Sequence, residues 1–525
     1  MFDVELTLEG GGATNGIEIR VKPDGVPDDD GALMRLLRAV ASLVVLGAVA
    51  ARAQNPAAIE HHLRYSVRDT SQADTALDLL DRMRSYHVPG VSIAVIDNYQ
   101  VVFAKGYGVT EFGGAKPVDS TTLFLAGSIS KPVFASGFLR FLDDRKISLD
   151  AEVNPLLTSW HLPASRFTDQ QKVTLRHLLT HSAGLTVWGF PGYELGKPVP
   201  TVPQLLDGTP PANTAAVRND TTPGARWLYS GGGMTIAQLV STDVSREAFP
   251  QLMQRLMLQP AGMTRSTYEN PLPVNRRGEA ASGHERIDTP VPGGFHVYPE
   301  MAAAGLWTTA SDLARWAIAL SHSYRGEAGG VLSSSMARQM VAKQMHQQPP
   351  YGDGWWGLGV AVAGDGDSLA FSHGGRDEGF VADMFMRPNR GRGLVIMTSG
   401  VAGGLIAEIE RAFAEEYGFG AAPRVARTVL AMSPAKLAEY AGSFIGVVGS
   451  DTTRFEVSVA PAAKTLLVYT AAARRSFPLA PVGGDNFVGL EGGSAWVFAR
   501  SPDAGAPVRS ITVGSGPNQR VLTRQ

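Results

Sequence analysis

The chain has 525 residues, and 47 Lys and Arg residues against 49 Asp and Glu residues give it a formal charge of −2. Hydrophobic residues make up 44% and charged residues 18%, which is typical of a folded protein with its own core. This balance, without a basic cluster, argues against a nucleic-acid or anionic-membrane surface. Because the chain has no Cys, disulfides, Cys-ligated metals and a cysteine nucleophile are excluded.

Residues 34–53 have the pattern of a signal peptide. Two arginines precede an uncharged apolar run from Ala39 to Ala51, and a small-x-small cleavage site ends at Ala53. The run is shorter than the roughly 20 residues that cross a bilayer. We expect a periplasmic or secreted protein with no stable membrane span after cleavage, and hypothesise that translation starts at Met34, so that residues 1–33 are an upstream extension. The alternative is a surface helix.

Residues 54–424 are predicted to form one α+β domain. Helical spacing of apolar residues runs from Ala73 to His87, and β-branched runs at 91–96 and 101–108 predict a hairpin. A second hairpin is predicted at 380–388 and 393–400, followed by a helix at 406–417. This order favours an antiparallel sheet made from both ends of the segment, with flanking helices and a helical insertion.

The sequence changes character after about Val425. Residues 433–525 contain short alternating runs separated by Gly, Pro, Asp and Asn. This pattern predicts a second, small antiparallel β-barrel or sandwich.

Ser128 and Lys131 are the first candidate catalytic residues. They are three residues apart, which places their side chains on one helix face, and Pro132 indicates the first turn of a helix. The positive end of a helix stabilises an oxyanion and lowers the pKa of a nearby lysine. The spacing alone is weak evidence, because Ser433 and Lys436 have it too. We interpret Ser433 as a structural helix N-cap.

Four further motifs follow in order: VTLRHLLTHSAGL at 173–185, PGARWLYSGGG at 223–233, AAGLWTTASDLARW at 303–316 and FSHGGRDEGF at 371–380. Together with the Ser128 motif they resemble the serine β-lactamase and penicillin-binding-protein superfamily over residues 73–417, and most closely its class C-like branch. That branch includes family VIII carboxylesterases and D-amino-acid peptidases. The segment from Leu437 is similar to the lipocalin-like domain attached to such hydrolases.

This resemblance implies roles for individual residues. Ser128 would be the acylated nucleophile, Lys131 its general base and Tyr229 the proton shuttle, a role for which Lys131 would have to favour the phenolate. His373 would assist in the pocket. The oxyanion hole would use the backbone N–H groups of Ser128 and Arg376. The expected substrate-binding residues are Gly231, Gly374, Gly375 and Arg376.

Two departures from the family pattern bear on the substrate. Gly231 stands where β-lactamases and transpeptidases carry an Asn that binds the acylamido side chain. His373 replaces a lysine, which weakens attraction for a substrate carboxylate at neutral pH. Both changes favour esters, small amides and lactones over β-lactams.

Alternative interpretations remain for several residues. Tyr229 can be a core aromatic beside Trp227, and His373 an ordinary strand residue. His177 and His181 are four apart, as in some metal sites, but the His-Glu-x-x-His pattern is missing, so we expect no metal and no cofactor.

Three functions follow. The favoured one is a serine hydrolase that acts through a Ser128 acyl-enzyme on a small-molecule ester, amide or peptide. The alternatives are a β-lactamase or D-alanyl-D-alanine carboxypeptidase, and a catalytically inactive binding or sensor protein of the same fold. The sequence predicts neither the physiological substrate nor the oligomeric state.

Overall fold

The computed structural model describes residues 4–8, 17–21, 59–74, 76–285, 289–348, 353–418, 424–448, 451–460, 465–470, 475–501, 507–514 and 519–525. The chain divides into two units, residues 1–54 and 55–525. In the first unit, Val4–Leu8 pairs antiparallel with Ile17–Val21. The predicted signal peptide, its cleavage site and the start at Met34 lie outside the described residues. Among the helices that the structure describes, none is long and apolar enough to cross a membrane.

An antiparallel sheet of eight strands forms the centre of the second unit. Its order in space is β3-β4-β5-β6-β7-β8-β1-β2 when the strands are numbered along the chain. They are β1 (Gly90–Asp97), β2 (Gln100–Gly108), β3 (Met345–His346), β4 (Trp355–Trp356), β5 (Ala361–Ala363), β6 (Ala370–Asp377), β7 (Phe380–Arg387) and β8 (Arg392–Thr398). Because β8 pairs with β1, the two predicted hairpins meet in one sheet, which confirms the α+β prediction.

Helices cover both faces of this sheet and fill the segment between its two halves. The described helices are α1 (Leu79–Tyr86), α2 (Ser130–Arg145), α3 (Leu175–Leu179), α4 (Val202–Asp207), α5 (Gly231–Ser245), α6 (Phe249–Met253), α7 (Met301–Ala304), α8 (Ala310–Arg325), α9 (Ser334–Met340), α10 (Gly403–Tyr417) and α11 (Pro434–Ala438). Alternate side chains of β1 point to opposite faces of the sheet and pack in two different hydrophobic cores. Ala94 and Ile96 pack with α2 and α8, whereas Ile93 and Val95 pack with α1 and α10. Burial on both faces explains the continuous apolar run of this strand.

Two helix boundaries differ from the prediction. α1 begins at Leu79 rather than near Ala73, because the Asp78 side chain accepts a hydrogen bond from the Leu80 N–H and caps the helix there. α10 begins three residues before the predicted Ile406, at Gly403.

The C-terminal strands close into an antiparallel barrel. They are β9 (Gly442–Val448), β10 (Asp451–Val459), β11 (Leu466–Thr470), β12 (Arg475–Gly483), β13 (Asn486–Gly489), β14 (Ala495–Arg500), β15 (Val508–Val513) and β16 (Arg520–Arg524). The predicted barrel is therefore confirmed, whereas the lipocalin-like resemblance stays a prediction. Ser433 caps α11 by accepting from the Lys436 N–H, and Lys436 pairs with Glu439, so the second Ser-x-x-Lys copy is structural as interpreted.

A buried cluster of charges joins the barrel to the sheet domain. Arg82 of α1 donates to Glu408 of α10 over 2.8 Å and to Glu491 of the barrel over 2.6 Å. Arg475 of the barrel completes the cluster through Glu491. The cluster is nearly closed to solvent, since the Glu408 side chain is fully buried and those of Arg82 and Glu491 are each 8% exposed.

Candidate active site

Ser128 lies in a 3₁₀ turn, Gly127–Ile129, directly before α2. It is thus one short turn ahead of the α-helix, at the helix N-terminus that the sequence predicts, and Pro132 lies in the first turn. Gly127 makes the turn possible, because its φ is +53° and a Cβ there would lie 2.4 Å from the Arg376 backbone nitrogen. This close approach places the backbone of Ser128 next to that of Arg376.

The Lys131 ammonium side chain is held between two oxygens. Its Nζ donates to Ser128 Oγ over 2.8 Å and to the Ala303 carbonyl over 2.8 Å. Lys131 is only 2% exposed. Burial lowers its pKa from 10.5 to about 7, against the opposing effect of two carboxyl groups, Asp377 and Glu300. Near neutral pH this amine is therefore divided between its charged form and the neutral form that accepts a proton.

Tyr229 contacts both members of this pair. Its phenol is hydrogen-bonded to Ser128, and Lys131 Nζ lies 4.9 Å from the centre of its ring. Burial raises the pKa of Tyr229 well above its ordinary value. Lys131 therefore does not hold Tyr229 as a phenolate in the free site, the condition that the shuttle role implied, because burial penalises the charged form. Tyr229 is a protonated phenol here, able to donate.

His181 is a neighbour of Tyr229 that the sequence presents only as half of a His pair at metal-site spacing. Its ring centre lies 4.3 Å from that of Tyr229, and its Nδ1 accepts from the Ser230 N–H over 3.3 Å. Burial lowers its pKa well below the ordinary value, so the ring is neutral with its proton on Nε2. The supposed His177–His181 helix face does not form. α3 ends at Leu179, and His177 takes part in the capping box with Thr174 instead.

His373 lies on β6, with its ring 6.3 Å from that of Tyr229. Its Nδ1 is 2.5 Å from the Gly374 carbonyl, so Nδ1 carries the proton and Nε2 is an acceptor. Burial, together with Lys131, lowers the pKa of His373 to about 3. The residue is therefore uncharged at neutral pH, in agreement with the weaker attraction for carboxylates expected from the sequence.

The predicted substrate-binding glycines have different surroundings. Gly375 packs on Ala126, since a Cβ would lie 2.0 Å from the Ala126 carbonyl oxygen, and Gly374 lies on the exposed face of β6. Gly231 lies in the first turn of α5 and donates its N–H to the Trp188 carbonyl over 3.0 Å. It supports the loop that carries Trp188 and is not among the residues lining the cavities beside Ser128.

Two cavities meet at Ser128. The smaller, about 370 Å³, reaches Lys131, Phe190 and Asp377. The larger, about 680 Å³, is bordered by His373 and by three tryptophans, Trp188, Trp227 and Trp356. Ser128 can therefore contact a reacting carbonyl with one substituent in each cavity.

Two buried carboxyl groups near Lys131 were not selected from the sequence. Asp377 is 4% exposed and Glu300 is fully buried. Burial raises the pKa of Asp377 well above its ordinary value and that of Glu300 to about 8. The alternation of β6 contains a signal for Asp377, since it shares a strand face with His373 and Gly375. Glu300 precedes α7, and no periodicity marks it.

Comparisons with known proteins agree with this fold. The β-lactamase family model matches residues 76–418. Esterase EstB of Burkholderia gladioli is 28% identical over 106 residues, covering 20% of this chain and 27% of the relative. The D-alanyl-D-alanine-carboxypeptidase/endopeptidase AmpH of Escherichia coli K12 is 23% identical over 401 residues, covering 75% of this chain and 89% of AmpH.

Coverage of other relatives is smaller. The chain spans between 27% and 60% of the length of three curated relatives that it matches, EstB among them. Among solved structures, the octameric penicillin-binding protein homologue from Pyrococcus abyssi matches 85% of this chain and 98% of its own, with a TM-score of 0.56 at 19% identity. That likeness concerns the fold. Since the family model matches well over half of the sequence, the chain belongs to the β-lactamase family.

Proposed function

We propose that this protein is a serine hydrolase that forms an acyl-enzyme on Ser128 and acts on carboxylic esters, small amides or peptides. The observation that carries the proposal is the 2.8 Å contact between Ser128 Oγ and Lys131 Nζ. A hydroxyl becomes a nucleophile when an adjacent base can accept its proton. Lys131, with its pKa lowered to about 7, is a base matched to neutral pH.

Each remaining group has a role in this mechanism. The neutral Lys131 amine takes the Ser128 proton while Oγ attacks the substrate carbonyl carbon. The backbone N–H groups of Ser128 and Arg376 stabilise the oxyanion that forms. Tyr229 donates its phenolic proton to the leaving group and is reprotonated from Lys131. Water then attacks the acyl group and Ser128 regains its proton, which completes the hydrolysis.

The substrate class rests on His373 and on the relatives. A neutral imidazole offers no charge to a substrate carboxylate, and its free Nε2 lone pair suits a substrate N–H or a water molecule. EstB is named an esterase and AmpH a carboxypeptidase and endopeptidase. Esters and small amides or peptides fit these facts together. The signal-peptide pattern adds a periplasmic or secreted location to the proposal.

The test compares two Ser-x-x-Lys serines in the same chain. Ser128→Ala should abolish covalent labelling by a fluorophosphonate probe and hydrolysis of p-nitrophenyl butyrate, whereas the matched control Ser433→Ala should retain both. Loss of labelling in the control alone would refute the assignment of Ser128.

A parallel assay with nitrocefin addresses the other functions. A Ser128-dependent nitrocefin rate above the ester rate would favour the β-lactamase alternative, which the family match keeps open. A folded protein with no Ser128-dependent turnover or labelling would indicate an inactive binding protein.

A further inference from the structure

The larger cavity continues beyond the serine to a pair of acidic side chains. β5 pairs with β6 only as far as Ser372, so the edge of β6 from His373 onward has no β5 partner. The cavity follows this edge past Gly374 and ends at Asp383 of β7 and Glu410 of α10. One continuous space therefore connects Ser128 with two carboxyl groups on the other side of the strand.

The two carboxyl groups act as a unit. Asp383 and Glu410 share a side-chain hydrogen bond. Burial and their mutual repulsion raise the pKa of Asp383, and burial raises that of Glu410. A hydrogen bond between two carboxyl groups requires a proton on at least one of them, and a positive ligand would favour the ionised form of both.

Nearby cations of the described chain are already engaged. Arg376, which also borders the cavity, has a 63% exposed side chain and pairs with Glu285 over 3.3 Å. Arg411, next to Glu410 in α10, donates to the Arg64 carbonyl over 3.2 Å. Neither guanidinium is hydrogen-bonded to the acid pair in the described contacts, although the nearby charge of Arg411 acts to lower the pKa of Glu410. The far end of the cavity is thus an acidic site.

A second, independent feature of the cavity is a buried hydrogen-bond acceptor that has no donor among the described residues. His373 borders the cavity and is only 6% exposed, yet its Nε2 acceptor has no partner in the described part of the chain. A buried acceptor without a donor costs free energy until a ligand supplies one. Three tryptophans, Trp188, Trp227 and Trp356, also line this cavity, and aromatic rings can attract cations. Because His373 and Gly374 lie on opposite faces of β6, this acceptor faces the Ser128 end of the cavity, where a substrate N–H can reach it, and the acid pair lies at the other end.

Glycine keeps the acid pair accessible. A Cβ at Gly374 would lie 3.2 Å from Asp383 Oδ2, so a side chain there would cover the carboxyl group. At Gly403, in the first turn of α10, a Cβ would meet nothing within 4 Å, which leaves open space beside Ile406 and Ala407 on the cavity wall.

We propose that Asp383 and Glu410 form a subsite that binds an ammonium group of the substrate, so that the protein prefers amine-bearing esters or amides to neutral and anionic ones. This inference rests on the proposed Ser128 hydrolase activity and specifies its substrate class. It assigns to Gly374 the role of leaving the subsite open.

The experiment compares isosteric substrates on the full-length protein. For the acyl side, p-nitrophenyl 6-aminohexanoate is paired with p-nitrophenyl heptanoate. For the alcohol side, butyrylcholine is paired with 3,3-dimethylbutyl butyrate. We expect kcat/KM to favour the cationic member of at least one pair by about tenfold or more, because partly buried carboxyl groups are screened less by water than exposed ones.

The variants Asp383→Asn and Glu410→Gln, alone and together, should bring this ratio close to one. The ratio is the readout, so a general change in activity does not affect the conclusion. Glu415→Gln is the matched control, since it removes the same charge from an exposed position of α10 and should keep the preference. A preference for the neutral members in the parent, or one that survives in the double variant, would overturn the subsite.

Calorimetric titration with hexylammonium and with hexanol measures binding to the subsite without any turnover. Binding of hexylammonium at least about tenfold tighter than hexanol, lost in the double variant, supports the subsite, and equal binding contradicts it. Ser128-dependent hydrolysis without a cation preference would overturn this inference alone. Hydrolysis that survives in Ser128→Ala would instead overturn the proposed function.

Discussion

In the proposed mechanism, the pKa of Lys131 makes the rate of Ser128 acylation depend on pH. Only its neutral form accepts the serine proton, and with a pKa of about 7 the neutral fraction rises from about 9% at pH 6 to about 91% at pH 8. The second-order rate of labelling by a fluorophosphonate should therefore rise about tenfold over this interval and then level off. At pH 7, burial increases the neutral fraction roughly 10³-fold over that of an ordinary lysine.

Fluorophosphonate labelling is the suitable assay because its readout, unlike nitrophenol absorbance, does not itself titrate near pH 7. Lys131→Ala should lower the rate by about 10²- to 10⁴-fold and remove the pH-dependent step, whereas Lys436→Ala should behave as the parent. A parent rate that stays flat between pH 6 and 8, or rises only above pH 9, would refute the reasoning.

Three further perturbations test the site and the domain contact. Tyr229→Phe should lower the acylation rate by about 10²- to 10⁴-fold in the same labelling assay, and an unchanged rate would remove Tyr229 from the mechanism. Lys131→Met should abolish labelling yet raise the free energy of unfolding in urea by about 2–4 kcal/mol at pH 7. Holding the pKa of Lys131 near 7 instead of 10.5 costs about 5 kcal/mol below pH 7, part of which is offset by the hydrogen bond to Ala303, and the gain from the substitution should shrink as pH rises toward 10.5. Arg82→Ala should lower the free energy of unfolding by about 3–5 kcal/mol, because it leaves buried Glu408 unpaired; the exposed Arg84→Ala should change it by under about 1 kcal/mol.

The sequence predicts the sheet well because local patterns determine it. The hairpins at β1–β2 and β7–β8 have alternating or continuous apolar runs around short turns, and the observed pairing confirms both. Helix starts were harder to predict. The apolar pattern extends further toward the N-terminus than α1 does, because the Asp78 cap fixes the start of the helix.

The candidate site likewise combines a contact that local sequence predicts with contacts that only the tertiary fold creates. Ser128 and Lys131 are three residues apart, so local geometry predicts their contact. Asp377, Glu300 and His181 come from separate segments, and only the tertiary fold brings them to Lys131 and Tyr229. The direction of the Tyr229 pKa shift was also inaccessible, because it depends on how completely the folded chain excludes water from the phenol.

The charge cluster between the two domains bears on the order of assembly. Arg82 and Glu408 belong to the sheet domain, and Arg475 and Glu491 belong to the barrel. Each domain thus carries its own neutral acid–base pair, which can form before the domains meet. Docking then removes water from two neutral pairs rather than from four separate ions, which avoids most of the cost of burying charge. The two pairs can accordingly form before the barrel and the sheet domain meet, so that neither brings an unpaired charge into the contact.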